Sequence, residues 1–91
     1  MPLFALICLD KPNQLDLRKA NRDAHLAYVA ETGVVQLGGP FLDAAGDMCG
    51  SLVILEAEDL AAAEAWAAAD PYGVAGLFES VTIRPWKKVV G

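Results

Sequence analysis

At 91 residues, 55 % of them apolar, and with a net charge of −5, the chain is sized for one domain over residues 1–91. Phosphate backbones and anionic lipid headgroups both select a basic face, so nucleic acid and membrane surfaces are excluded as expected partners. A domain this small buries only somewhat more than roughly 60 % of its unfolded surface, so the apolar excess points to a second buried surface, most simply one between subunits.

No apolar run reaches the length of about 18 residues that a membrane helix needs. Met1-Pro2-Leu3-Phe4 lacks both a basic start and a small-residue cleavage site, so a cytoplasmic protein is expected. Cys8 and Cys49 are then reduced thiols. Their separation matches no metal or redox spacing, and both lie in apolar strand-like runs, which predicts buried structural thiols.

Leu3 to Leu9 is a nearly continuous apolar run, the pattern of a central strand covered on both faces. Asp10-Lys11-Pro12-Asn13 ends it as a turn, with Asn13 a candidate N-cap and Asp16 a favourable charge in the next first turn. Residues 15 to 32 read as a helix of about five turns. Leu17, Ala24 and Tyr28, with Ala20 and Ala27, form its expected core side. Arg18, Arg22 and His25 form a second stripe beside it at i, i+4, i+7 spacing. Gly33 stands where a helix end often needs a left-handed residue.

Val34 to Leu42 is the second strand, and Gly38-Gly39-Pro40 within it predicts a bulge or close backbone approach at a sheet edge. Asp43 to Asp47 is a hairpin loop, and Met48 to Glu56 the third strand. Asp59 caps an alanine-rich helix from Leu60 to about Ala69, in which Leu60, Ala63, Trp66 and Ala67 keep helical spacing and Trp66 is a core anchor. Pro71 stops that helix at Asp70, and Asp70-Pro71 starts a short helical turn over 71–76. Phe78 to Trp86 is the last strand, with Glu79, Val81 and Ile83 on one side and Phe78, Ser80, Thr82 and Arg84 on the other. Lys87 to Gly91 is a short tail.

Strand-helix-strand occurs twice, which predicts an α+β, ferredoxin-like βαββαβ fold: a four-stranded antiparallel sheet with two helices on one face. The other face is too apolar to leave in water, so a homodimer or higher homo-oligomer is expected.

At this point the motifs form a set. Arg22-x-x-His25-Leu26-x-Tyr28, Gly33, Gly38-Gly39-Pro40, Gly50-Ser51, Ala69-Asp70-Pro71-Tyr72-x-x-Ala75-Gly76 and Ile83-Arg84-Pro85-Trp86 together resemble the YciI-like (YCII-related) domain over essentially the whole chain. The resemblance implies a ferredoxin-like domain of the dimeric α+β barrel group. It also implies a His and an Asp placed together in a pocket as a catalytic pair, at positions that match His25 and Asp70.

Each candidate has a plainer reading. His25 could be a half-buried structural histidine, but an imidazole both takes and gives a proton near neutrality, and a carboxylate on one ring nitrogen would fix its tautomer. Asp70 before Pro71 is also simply a good N-cap. Arg18 and Arg22 beside the sole histidine suggest an edge that holds an anion, or else a solvated face that pairs with Asp23 or Glu31. Gly39 and Pro40 could present backbone amides to a ligand, or serve sheet curvature alone. Ser51 has no nucleophile elbow and reads as a strand hydroxyl lining a pocket. Tyr28 and Tyr72 are pocket walls or packing residues. One histidine and two separated cysteines do not build an ordinary zinc site, so neither metal nor cofactor is expected. Two functions stay open: an enzyme using His25 and Asp70 as general acid–base on a small anionic metabolite, in isomerase, lyase or dehydrochlorinase-like chemistry, or a non-catalytic dimeric domain that binds a small acidic ligand.

Overall fold

The computed structural model describes residues 1–91. Its elements run β1 (Leu3–Asp10), α1 (Leu15–Thr32), β2 (Val35–Leu42), β3 (Met48–Glu56), α2 (Leu60–Ala69), α3 (Pro71–Val74) and β4 (Phe78–Trp86). The four strands form one antiparallel sheet in the order β2-β3-β1-β4. The two most apolar strands, β1 and β3, are therefore the inner pair, as continuous apolarity requires. This is the ferredoxin-like βαββαβ arrangement, with both main helices against one sheet face.

Alternation along the strands decides what each face contains. Phe4, Leu6 and Cys8 of β1 and Val53 and Leu55 of β3 form the core with Ala57 and with Ala63 and Trp66 of α2. The intervening residues, Leu3, Ala5, Ile7 and Leu9 together with Leu52 and Ile54, point to the face without helices. Trp66 is anchored as its spacing predicts: its ring is 9 % exposed and its indole N–H donates to Thr32 Oγ1 at 3.0 Å. Asp59 caps α2 by accepting from the Ala62 amide at 2.8 Å, and Gly33 ends α1 in the left-handed region at φ 65°.

Several expectations are corrected. Asn13 does not cap α1. It takes a left-handed turn conformation at φ 61°, and Gln14 occupies the cap position without a side-chain bond. Ala20, Ala24 and Ala27 face solvent, while Arg18, Asn21, His25, Tyr28 and Val29 turn inward. Arg18 and His25 of the neighbouring stripe thus pack together with Tyr28 of the expected core side, while Arg22 stays exposed. Leu60 is exposed. Gly38, Gly39 and Pro40 pair in register with Val53, Leu52 and Ser51, and the irregularities of β2 fall instead between Val35 and Leu37 and between Phe41 and Leu42. A shift opposite Leu9 and Asp10 bulges β4 at Glu79, so Phe78 joins Ile83 against the core rather than Ser80 on the far side. Cys8 is buried, but Cys49 is only half-buried.

Candidate active site

Four elements converge on one buried cation. Arg18 lies in the first turns of α1 and is 2 % exposed. A charge taken this far from water needs a partner with matching geometry. Asp10, the last residue of β1, supplies it: Nε donates to Oδ2 at 2.7 Å and Nη2 to Oδ1 at 2.9 Å, a two-bond fork. Nη2 also donates to Ser51 Oγ at 2.9 Å. The guanidinium carbon lies 4.6 Å from the centre of the Tyr72 ring, within cation–π range.

The second centre is formed where α1 meets the α2–α3 corner. His25 Nδ1 and Asp70 Oδ1 are 2.8 Å apart. The same oxygen accepts the Tyr72 amide at 3.0 Å. Oδ1 is thus an acceptor twice over, and His25 Nδ1 is the donor. That leaves Nε2 of His25 as the ring nitrogen with a free lone pair. Asp70 serves as helix cap and histidine partner through one atom. The imidazole also stacks on Tyr72, with ring centres 4.1 Å apart and planes 15° from parallel. Tyr72 is therefore the common wall of both centres.

These groups line a pocket of about 210 Å³ between α1 and the sheet. Arg18, Arg22, His25, Ser51 and Tyr72 supply its polar side, and Leu26, Val29, Val35, Met48 and Val53 its apolar side. Gly38, Gly39 and Pro40 of β2 complete the wall. A side chain at Gly38 would begin 3.3 Å from the Leu52 carbonyl, so close approach is the reason for that glycine, whereas a side chain at Gly39 would meet nothing within 4 Å. Arg22 is exposed and lies at the rim. Asp70 stands behind His25 and does not itself line the pocket. Tyr28 is not a wall residue: its hydroxyl donates to the Trp66 carbonyl at 2.8 Å and its ring tilts against Trp66. No group of three or more His, Cys, Asp or Glu side chains gathers as a metal site.

Burial sets the electrostatics. On its own it would lower the Arg18 pKa, but the hydrogen bonds and charge of Asp10 outweigh it and the net shift is upward. Burial raises the Tyr72 phenol, opposed by Arg18 and Arg22. Tyr28 is raised by burial and then by the charge of Asp70. Cys8, beside Ser51 on the neighbouring strand, is pushed up to about 12 by burial and then by Asp70. It is a neutral thiol at any physiological pH.

Sequence reading placed Arg18 on the helix stripe but did not find Asp10, which it read as a turn residue. The available signal was a carboxylate at the end of an apolar strand, eight positions before an arginine on a helix that folds back over it.

The YCII-related domain model matches residues 2–87. Protein YciI of Escherichia coli O6:H1 is 41 % identical, over 96 % of this chain and 98 % of that one. Among solved structures, 5-chloro-2-hydroxyhydroquinone dehydrochlorinase (TftG) of Burkholderia phenoliruptrix AC1100, in complex with 2,5-dihydroxybenzoquinone, superposes with a TM-score of 0.87 at 37 % identity, covering 93 % of each chain. An antibiotic biosynthesis monooxygenase superposes at 0.61 with 16 % identity, a likeness of fold alone.

Proposed function

The chain belongs to the YCII-related domain family, and on that premise we propose that it is a small enzyme in which His25, held by Asp70, moves a proton on an anionic, hydroxylated ring or oxo-acid. The observation that carries this reading is the single Asp70 oxygen that engages His25 Nδ1 and leaves Nε2 unengaged on a ring that lines a pocket with two arginines. Dehydrochlorinase chemistry in the 37 % identical relative supports an elimination of the type HX loss from a hydroxylated ring. In such a step Nε2 takes a proton, the electron pair released becomes the new π bond, and X departs with the electrons of its own bond. The imidazolium then passes the proton to solvent, so nothing is oxidised. Asp70 favours the imidazolium while it exists. An isomerisation would use the same base and return the proton elsewhere on the substrate.

The proposal includes a homodimer and a cytoplasmic setting, where the two free cysteines stay reduced. No helix is long and apolar enough to cross a membrane.

The test is a panel of chlorinated and hydroxylated ring acids, followed by halide release and by proton exchange. His25→Ala is expected to lose about 10²-fold or more in turnover, the usual contribution of a positioned acid–base group. Turnover unchanged in His25→Ala ends the proton-transfer reading. Saturable binding with no turnover in the wild type would leave a binding protein.

A further inference from the structure

We infer that Arg18 and Ser51 together form a preorganised oxyanion site, with Asp10 as its positioning residue. The inference rests on the proposed chemistry, and it assigns the substrate feature which the pocket recognises: an ionised ring oxygen.

Ser51 Oγ accepts from Arg18 Nη2, and its own hydrogen finds no acceptor in the protein. A hydroxyl whose lone pair is engaged by a cation becomes a better donor, and this one lines the pocket. Arg18 is held on every side: Nε and Nη2 are spent on Asp10 and Ser51, and Tyr72 is a further side-chain hydrogen-bond partner of the guanidinium. The Ser51 hydroxyl, backed by that fixed cation at the pocket wall, therefore awaits an acceptor that the protein does not supply.

The Asp10 fork and the Tyr72 ring hold the guanidinium in one orientation before any ligand arrives. Donors fixed in advance stabilise developing negative charge without reorganising. A merely structural ion pair would have no need of a hydroxyl at a cavity wall. Arg22, exposed at the rim, would attract an anion but not orient it.

An apolar wall completes the recognition. Val29, Val35 and Val53 face a flat ring, while Arg18 and Ser51 take its oxygen. The ligand class is a planar ring bearing an ionised hydroxyl. A neutral ring of the same size would fill the space and leave the charge of Arg18 and the Ser51 hydroxyl unanswered.

The probes are 2,5-dihydroxybenzoquinone, which is anionic at neutral pH, and hydroquinone, which is not. Titration calorimetry on the whole chain compares wild type, Ser51→Ala, Arg18→Lys and His25→Ala. Ser51→Ala is expected to raise the Kd of the anionic ring about tenfold or more, with the hydroquinone Kd and the thermal midpoint unchanged. Arg18→Lys keeps the charge but loses the fork, and its anion Kd is expected to rise further. His25→Ala is expected to change the anion Kd less than Ser51→Ala does. Equal anion affinity in wild type and Ser51→Ala overturns the oxyanion site, and so does a wild type that binds the two rings equally or binds neither. Failure of the proton-transfer reading looks different: turnover survives in His25→Ala whatever Ser51→Ala does to binding.

Discussion

Asp70 Oδ1 accepts from both His25 and the Tyr72 amide, which allows its two duties to be separated by substitution. Asn caps a helix about as well as Asp, so Asp70→Asn is expected to stay within about 0.5 kcal/mol of wild type in denaturant unfolding. It carries no charge to favour the imidazolium, so turnover is expected to fall about 10²-fold or more. Asp70→Ala should lose the cap as well, about 1–2 kcal/mol. Equal activity of Asp70→Asn and wild type would reduce Asp70 to a cap. The buried thiol gives a prediction of another kind. Cys8 is raised from 9.0 to about 12 by burial first and the Asp70 charge second. The folded pKa lies above the unfolded one, so this contribution to stability is complete below about pH 9 and is lost as pH climbs toward 12, because the unfolded chain releases its proton first. Unfolding free energy is expected to hold from about pH 7 to 8.5 and to fall above pH 9 by up to about 1.4 kcal/mol per unit, and Cys8→Ala should flatten the first part of that fall. Tyr28 and Tyr72, also raised by burial from 10.0, extend the loss at higher pH. At this scale the sequence was legible where local chemistry is fixed, as with Asp59, Gly33 and Asp70. Arg18 was opaque, because its partner Asp10 is brought to it by folding and neither residue advertises burial.

The helix α1 shows why polarity misleads about facing. Hydrophobic spacing put Leu17, Ala24 and Tyr28 inward; Tyr28 does pack on the core, but Ala24 faces solvent and the inner face also carries Arg18, Asn21 and His25. A helix over a site spends part of its inner face on polar groups, and alanine is small enough to sit outside without penalty. The strands were legible nearly to the residue, since β1 and β3 are continuous apolar runs and the turns between elements are marked by Pro, Gly and Asp. The bulge at Glu79 was not legible, because it depends on pairing with β1 rather than on composition. The α2–α3 corner gives this scale its prediction. A Cβ at Gly73 would lie 2.8 Å from the Ala67 carbonyl, with backbone on the far side and no room to yield. Gly73→Ala is expected to cost about 1–3 kcal/mol and to displace the corner that presents Asp70 and Tyr72, lowering thermal midpoint and turnover together. Gly39→Ala meets nothing within 4 Å and should stay within about 0.5 kcal/mol of wild type. If the two variants melt alike, the tight corner is not what holds Asp70 in place.

For the whole molecule the deciding quantity is how little is buried. Only 16 of 91 residues are buried, and the sheet has helices on one face alone. The opposite face carries Leu3, Ile7 and Leu52 with Leu9 at 47 %, Leu37 at 54 % and Trp86 at 39 % exposure, while Arg84 and Glu56 sit near its margin. Apolar surface of this kind costs roughly 25 cal/mol per Å² when left in water, and a second copy laid face to face would cover it. The inner strands β1 and β3 place no ionised group in the middle of this face, and Arg84, in register with Ala5, lies on the edge strand β4. A homodimer is therefore expected to sediment at twice the chain mass, with a thermal midpoint that rises with protein concentration because association stabilises only the folded chain. Leu9→Glu combined with Leu37→Glu would place two like charges on each copy at the contact. That variant is expected to sediment as a monomer and to melt at a temperature independent of concentration. It should keep the pocket, which lies on the helix side of the same sheet, and a far-UV circular dichroism spectrum like that of the wild type checks that it is folded. A wild type that sediments as a monomer with a concentration-independent midpoint would mean that this face meets water, and that the apolar excess in the sequence has another use.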